Sequence, residues 1–237
     1  MEKPDEESTK DKLANREADY VASAAKAALG MIPFAGSLLA EIAGTIIPNQ
    51  RIERIVGFAG ALEKRLKTLE KDFVRSQVTN ENFTDLVEEG LRQAARSLSE
   101  DRREYIASLI ANSLKPDAIE HAESKHLLRI MGELNDIEIL WLRFYLDPHL
   151  QGDEEFRKKH EKVFEPIAAC MGDPESVIDK EALQRSYREH LSRLGLLEPR
   201  YEMENSTFGT KLKAKGYELT WFGRVMLKAI GLAEDTE

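Results

Sequence analysis

LSRLGLLEPRYEMENSTFGTKLKAKGYELTWFG, Leu191–Gly223, is the stretch on which the fold turns. Leu194-Gly195-Leu196-Leu197 ends a helix. Arg200–Met203 reads extended, Asn205–Gly209 is a turn, and Lys211–Leu219 is extended again around Gly216. Thr220 then caps a last helix that carries Phe222, Val225, Met226, Ile230 and Leu232. Helices, a short β-hairpin and a closing helix make the layout of a winged helix. In that layout the helix at about 179–195 is the recognition helix and the hairpin is the wing.

Upstream the pattern is helical throughout. Asn135 and Glu138 form a capping box ahead of Ile137, Leu140, Trp141, Phe144 and Tyr145, and Asp147-Pro148 stops that helix. Residues 153–169 give another. Further back, Ile52, Ile55, Val56, Ala59, Leu62, Leu66, Leu69 and Phe73 recur at spacings of three and four, one apolar stripe over six turns. Asn80 caps a helix with the stripe Phe83, Leu86, Val87, Leu91, Ala94, Ala95 and Leu98. Ser99 caps one that carries Tyr105, Ile106, Leu109, Ile110 and Leu114 and ends at Pro116. A helix at about 119–133 follows, with Leu127, Ile130, Met131 and Leu134. No stretch before residue 195 alternates with period two. The fold class expected is mostly α: a helical bundle at 18–133, then a winged-helix-like module with a short β-hairpin at 134–232. An acidic leader at 1–17 and a tail at 233–237 flank them.

The bundle opens on VASAAKAALGMIPFAGSLLAEIAGTIIP, Val21–Pro48, whose charges are Lys26 and Glu41 alone in a chain that is 32% charged. Pro33 lacks an amide hydrogen and clashes with the preceding turn, so it starts a second helix. The two pieces, about 21–32 and 34–47, are each about 18–21 Å long at 1.5 Å per residue. Neither crosses a bilayer of about 30 Å alone. Ile32, Pro33, Phe34, Gly36, Leu38, Leu39, Ile42, Gly44, Ile46 and Ile47 are the expected residues of a buried or membrane-active hairpin. The basic stripe beside it, Arg51, Arg54, Lys64, Arg65, Lys67, Lys71 and Arg75, is a pattern of membrane-surface helices. It is also that of a surface helix laced by pairs such as Glu63–Lys67. Membrane contact through 21–75 is expected only after a trigger.

The 237 residues suffice for two domains with real cores. A net charge of −9 argues against a nucleic-acid coat. The single Cys170 excludes a disulfide framework and suits a reducing cytoplasm. The opening, with seven acids against four bases before Tyr20, does not read as a signal peptide.

Charge is unevenly placed. Residues 180–233 hold ten Lys or Arg against six Asp or Glu, a net +4, which leaves −13 on the rest. With Leu183, Tyr187, Leu191 and Leu194 facing inward, Lys180, Gln184, Arg185, Arg188 and Arg193 face outward. These residue types contact phosphates and guanine edges. Lys211, Lys213 and Lys215 alternate, so all three leave one face of a strand. Glu189, amid the helix face, repels phosphate. The same surface reads as a protein-interaction face with solvated edge lysines. Partners expected are another protein or a second copy, with nucleic acid through 180–220 as the alternative.

Catalytic patterns are absent. Gly30 and Gly36 are followed by no Lys of a phosphate loop, and HExxH, paired cysteines and GxSxG do not occur. His121 and His126 fall on different helix faces, His149, His160 and His190 are scattered, and Cys170 is expected to be buried. No catalytic residue, metal ligand or cofactor is expected.

LSEDRREYIASLIANSLKPDAIEHAESKHLLRIMGELNDIEILW, Leu98–Trp141, resembles the Abi-alpha family of bacterial abortive-infection proteins. The matching elements are the acidic turn Glu100-Asp101, the aromatic-bearing run Tyr105–Leu114 and the helix pair Leu127–Leu140. The run lacks the family's Trp. The resemblance implies an all-α intracellular protein of phage defence without established enzyme activity, and carries over no functional residue. The function expected is a non-enzymatic effector or interaction protein; the alternative is a nucleic-acid-binding regulator.

Overall fold

The computed structural model describes residues 51–115, 119–148, 153–170, 172–206 and 209–233. The leader, the segment Val21–Pro48 with its ten hairpin residues, and residues 234–237 lie outside the described residues. The chain divides into two compact units, Met1–Met131 and Gly132–Glu237. The described residues are mostly helical with one two-stranded antiparallel hairpin, the fold class read from the sequence.

In the first unit, α1 (Ile52–Leu66), α2 (Lys71–Val78), α3 (Glu81–Arg96), α4 (Glu100–Asn112) and α5 (His121–Glu133) follow one another. The caps are the expected ones. Asn80 Oδ1 accepts from the amides of Asn82 and Phe83 at 2.9 and 3.4 Å, and Ser99 Oγ from Arg102 at 3.2 Å. Phe58, Leu62 and Leu66 of α1 pack in the core with Leu91 of α3 and Ile106 and Ile110 of α4, all with no exposed surface. Gly90 lets α3 approach α4. A Cβ there would stand 2.3 Å from Ile110 Cδ1 and 3.2 Å from Ile106 Cγ2.

Arginines tie the helix ends together. Arg54 donates to the Ala95 carbonyl at 3.2 Å, Arg103 to Ser97 at 3.3 Å, and Arg102 to Met131. Each satisfies a carbonyl that the helix itself leaves open. Arg65 donates through Nε to Ser108 Oγ at 2.8 Å and pairs with Glu104.

The six-turn helix expected over 50–75 is broken. The Thr68 and Leu69 amides tighten onto Arg65 and Leu66, the Thr68 hydroxyl donates to Arg65 at 2.7 Å, and Glu70 turns extended at ψ 131°. Beyond the break Val74 takes the buried position and Phe73 is left 40% exposed. Arg54 and Arg65 of the basic stripe are engaged inside the unit, so the stripe is not a free cationic face.

The second unit holds α6 (Asp136–Phe144), α7 (Glu154–Lys159), α8 (Glu161–Phe164), α9 (Glu175–Arg193), β1 (Leu197–Ser206), β2 (Gly209–Leu219) and α10 (Trp221–Ala229). The helix expected at 153–169 is two short ones, followed by irregular chain at 165–170. The helix expected from 179 begins at 175.

Gly195, with φ +74°, ends α9 where the Leu196 amide returns to the Leu191 carbonyl at 3.0 Å, a closure that needs the left-handed conformation. Trp141, Phe144 and Phe164 meet edge-on or tilted with centroids 4.9–5.5 Å apart, and Leu142, Leu191, Leu196, Met226 and Leu227 are fully buried around them. Strands β1 and β2 pair from Leu197↔Leu219 to Ser206↔Gly209, with a bulge at Arg200/Tyr201 that leaves Lys215 without a partner position.

Candidate interface of the C-terminal unit

Helix α9 is rotated from its expected setting. Leu183, expected inward, is 54% exposed, whereas Gln184, expected outward, is 9% exposed. The Gln184 amide donates to the carbonyls of Val163 and Glu165 at 3.2 and 2.9 Å. The irregular chain after α8 offers those open carbonyls, and covering them draws in the 184–188–191 stripe instead of 183–187–191. Arg188, also expected outward, is half-buried with its guanidinium 5.2 Å above the Trp141 ring. Lys180, Arg185 and Arg193 are exposed, but Glu175, Asp179 and Glu189 are exposed on the same helix.

The hairpin balances its charges as well. The ladder sets Lys213 across from Glu202 and Lys211 across from Glu204. Lys215 pairs with the Glu202 carboxylate, and Arg200 lies 3.5 Å from Glu218. Cross-strand pairs of opposite charge stabilise a ladder by about 0.2–1 kcal/mol each. They also cancel the field that a phosphate backbone would feel. The other face of the hairpin is apolar and open: Tyr201 is 58% and Met203 76% exposed, and Trp221, just after the hairpin, is 76% exposed.

A second cluster joins α6, α9 and β2. Tyr145 and Tyr217 have ring centroids 6.5 Å apart at 70°, and the Arg188 guanidinium lies beside the Tyr145 hydroxyl. Burial pushes the Tyr145 phenol above its usual range, with Arg188 opposing. Burial and then the Glu189 carboxylate do the same to Tyr217. The Nε of Arg188 and the indole Nε1 of Trp141 are buried without a hydrogen-bond partner among the described residues.

Sequence spacing missed the contact between His190 and Glu138. Glu138, 3% exposed, accepts from the Asn135 amide at 2.8 Å through Oε2 and meets His190 Nδ1 at 2.7 Å through Oε1. The capping box foretold the first bond; the second joins positions 52 residues apart. Cys170, expected to be buried, is exposed in a turn where its amide donates to Asp173 at 2.7 Å. His121 lies 3.3 Å from Asp85, which also takes Lys125; the Lys125 hydrogen bond leads in holding the Asp85 carboxyl below its usual range.

Among the described residues no group of three or more His, Cys, Asp or Glu could hold a metal ion, and no helix is long and apolar enough to cross a membrane. No family model matches the chain, and no curated protein and no solved structure matches it.

Proposed function

We propose that this chain is a non-enzymatic interaction protein of the cell interior that self-associates through the apolar face of its hairpin. The observation that carries this reading is the exposure of Tyr201 and Met203 on one face while, on the other, the ladder sets Lys211 and Lys213 across from Glu204 and Glu202 and Lys215 pairs with Glu202. A hairpin of mixed, balanced charge attracts a protein surface better than a polyanion. Light scattering of the full chain tests it. A concentration-dependent assembly that Tyr201→Ser/Met203→Ser dissolves is the expected result. A wild-type chain that stays monomeric up to about 100 µM, a Kd weaker than about −5.5 kcal/mol, rules out self-association.

Two parts of the proposal rest on sequence. Val21–Pro48 is the proposed membrane-active element of the effector, released by a trigger. Co-sedimentation with anionic vesicles, with and without residues 1–48, measures it, and identical partitioning removes that element. Phage defence is the role suggested by the resemblance at Leu98–Trp141. Plaquing efficiency on cells with and without the chain is its measurement, and equal numbers dismiss it.

A second reading, nucleic-acid binding, is favoured by the exposed Lys180, Arg185 and Arg193 on α9. It predicts a gel shift whose salt slope falls when Lys211, Lys213 and Lys215 become Glu; an unchanged slope removes the hairpin from that role.

A further inference from the structure

We propose that Arg188, Tyr145 and Tyr217 form a receptor for a phosphate group, free or as a monoester. The argument starts from a charge without a counter-charge. Arg188 is half-buried, yet among the described residues no carboxylate lies within ion-pair distance of it, although this chain pairs Arg65, Arg92, Arg143 and Arg200 with acids. A part-buried guanidinium loses hydration that only an anion restores in full, and the Trp141 face offsets a fraction of that loss.

The neighbours deepen the mismatch. Among the described residues the Arg188 Nε and the Trp141 Nε1 are buried donors with no acceptor, so the cluster holds two N–H groups that nothing in it completes. Buried donors of this kind call for an ion or water that completes them.

The geometry favours one class of anion. Three donor-bearing side chains come from separate parts of the unit: Tyr145 from the C-cap of α6, Arg188 from α9 and Tyr217 from β2. The two phenol rings stand at 70° to each other with centroids 6.5 Å apart, and the charge of Arg188 acts on both hydroxyls. Three separate donor groups, one a guanidinium with several N–H bonds, match the three terminal oxygens of a phosphate better than the two of a carboxylate. All three side chains keep part of their surface in solvent, so the group is reachable. Two further charges act on Tyr217: Glu189 opposes an anion and Arg185 favours one. A phosphate held here would join the recognition-type helix to the strand that leads into α10, and so couple occupancy to the posture of the hairpin.

The experiment uses the full chain carrying Trp221→Phe, which leaves Trp141 as the sole tryptophan, since the chain has two. Inorganic phosphate, phenyl phosphate and acetate are titrated at matched ionic strength, with Trp141 emission and melting temperature as readouts. The expected result is a saturable emission change with phosphate or phenyl phosphate and a Tm rise of about 3–6 °C at tenfold excess over Kd. Acetate gives neither. Whichever phosphate source binds tighter tells a free ion from a monoester. Arg188→Met abolishes the response and leaves the ligand-free Tm equal or higher, because it removes an uncompensated charge. Tyr145→Phe/Tyr217→Phe keeps the rings and weakens phosphate at least tenfold, and Glu189→Gln tightens it. A response equal to that of acetate, a response that persists in Arg188→Met, or no response at all overturns the proposal.

Discussion

Glu138 and Glu63 are both buried carboxylates, and their surroundings give them opposite signs. Glu138 accepts from the Asn135 amide and faces His190, so both oxygens are served. Glu138→Ala removes the returning bond of the capping box and strands the imidazole, and should destabilise by about 2–4 kcal/mol in urea unfolding. Both oxygens of Glu63, by contrast, are buried without a hydrogen-bond donor among the described residues, and Lys67 stands only at 3.4 Å. Glu63→Met, similar in volume and content in an apolar site, should be neutral or stabilise by up to about 2 kcal/mol. A loss above about 1 kcal/mol would show that the Lys67 pair holds α1. The two tyrosines set an alkaline limit. Their folded values lie above the ordinary 10.0, so the stability they contribute is complete below pH 10 and is lost as pH rises through the higher folded values. Absorbance at alkaline pH should show two late-titrating phenols that Tyr145→Phe and Tyr217→Phe remove one at a time.

At the scale of elements, caps were legible and orientations less so. Asn80, Ser99, Asn135 and Thr220 cap as local chemistry dictates, because a side-chain oxygen needs only the amides two or three residues on. The rotation of α9 was hidden, because it depends on the carbonyls of Val163 and Glu165, about 20 residues away, that claim Gln184. The break at 67–70 was hidden for a similar reason: the apolar spacing runs straight through it, and only the burial of Val74 in place of Phe73 shows the shift. The apolar face of the hairpin is legible in Tyr201 and Met203, which stand at period two. The tightest junction is at Gly223 of α10, where a Cβ would meet the Leu196 carbonyl oxygen at 2.2 Å and its carbon at 3.1 Å. Backbone cannot step aside as a side-chain tip can. Gly223→Ala should cost about 2–4 kcal/mol and lower Tm, whereas the same change at Gly60, with nothing within 4 Å, should gain about 0.5–1 kcal/mol from helix propensity.

At the scale of the whole molecule, the two units differ in how they treat charge. The first uses arginines as internal clasps on helix ends, and the second lays opposite charges face to face along a hairpin. By sequence β1 carries three Glu and one Arg, while β2 carries three Lys and one Glu. Each strand thus repels its own kind and attracts the other. Among the described residues no third strand pairs with either edge of the hairpin, so copies stacking β1 onto β2 would repeat without closing, the geometry of a filament. The bulge at Lys215 is what stands in the way, since one surplus residue puts every later rung out of step with a straight template. Deleting Lys215 should straighten the ribbon and let thioflavin-positive fibres grow where the intact chain forms none. A single extra lysine then marks the difference between a finite assembly and an endless one.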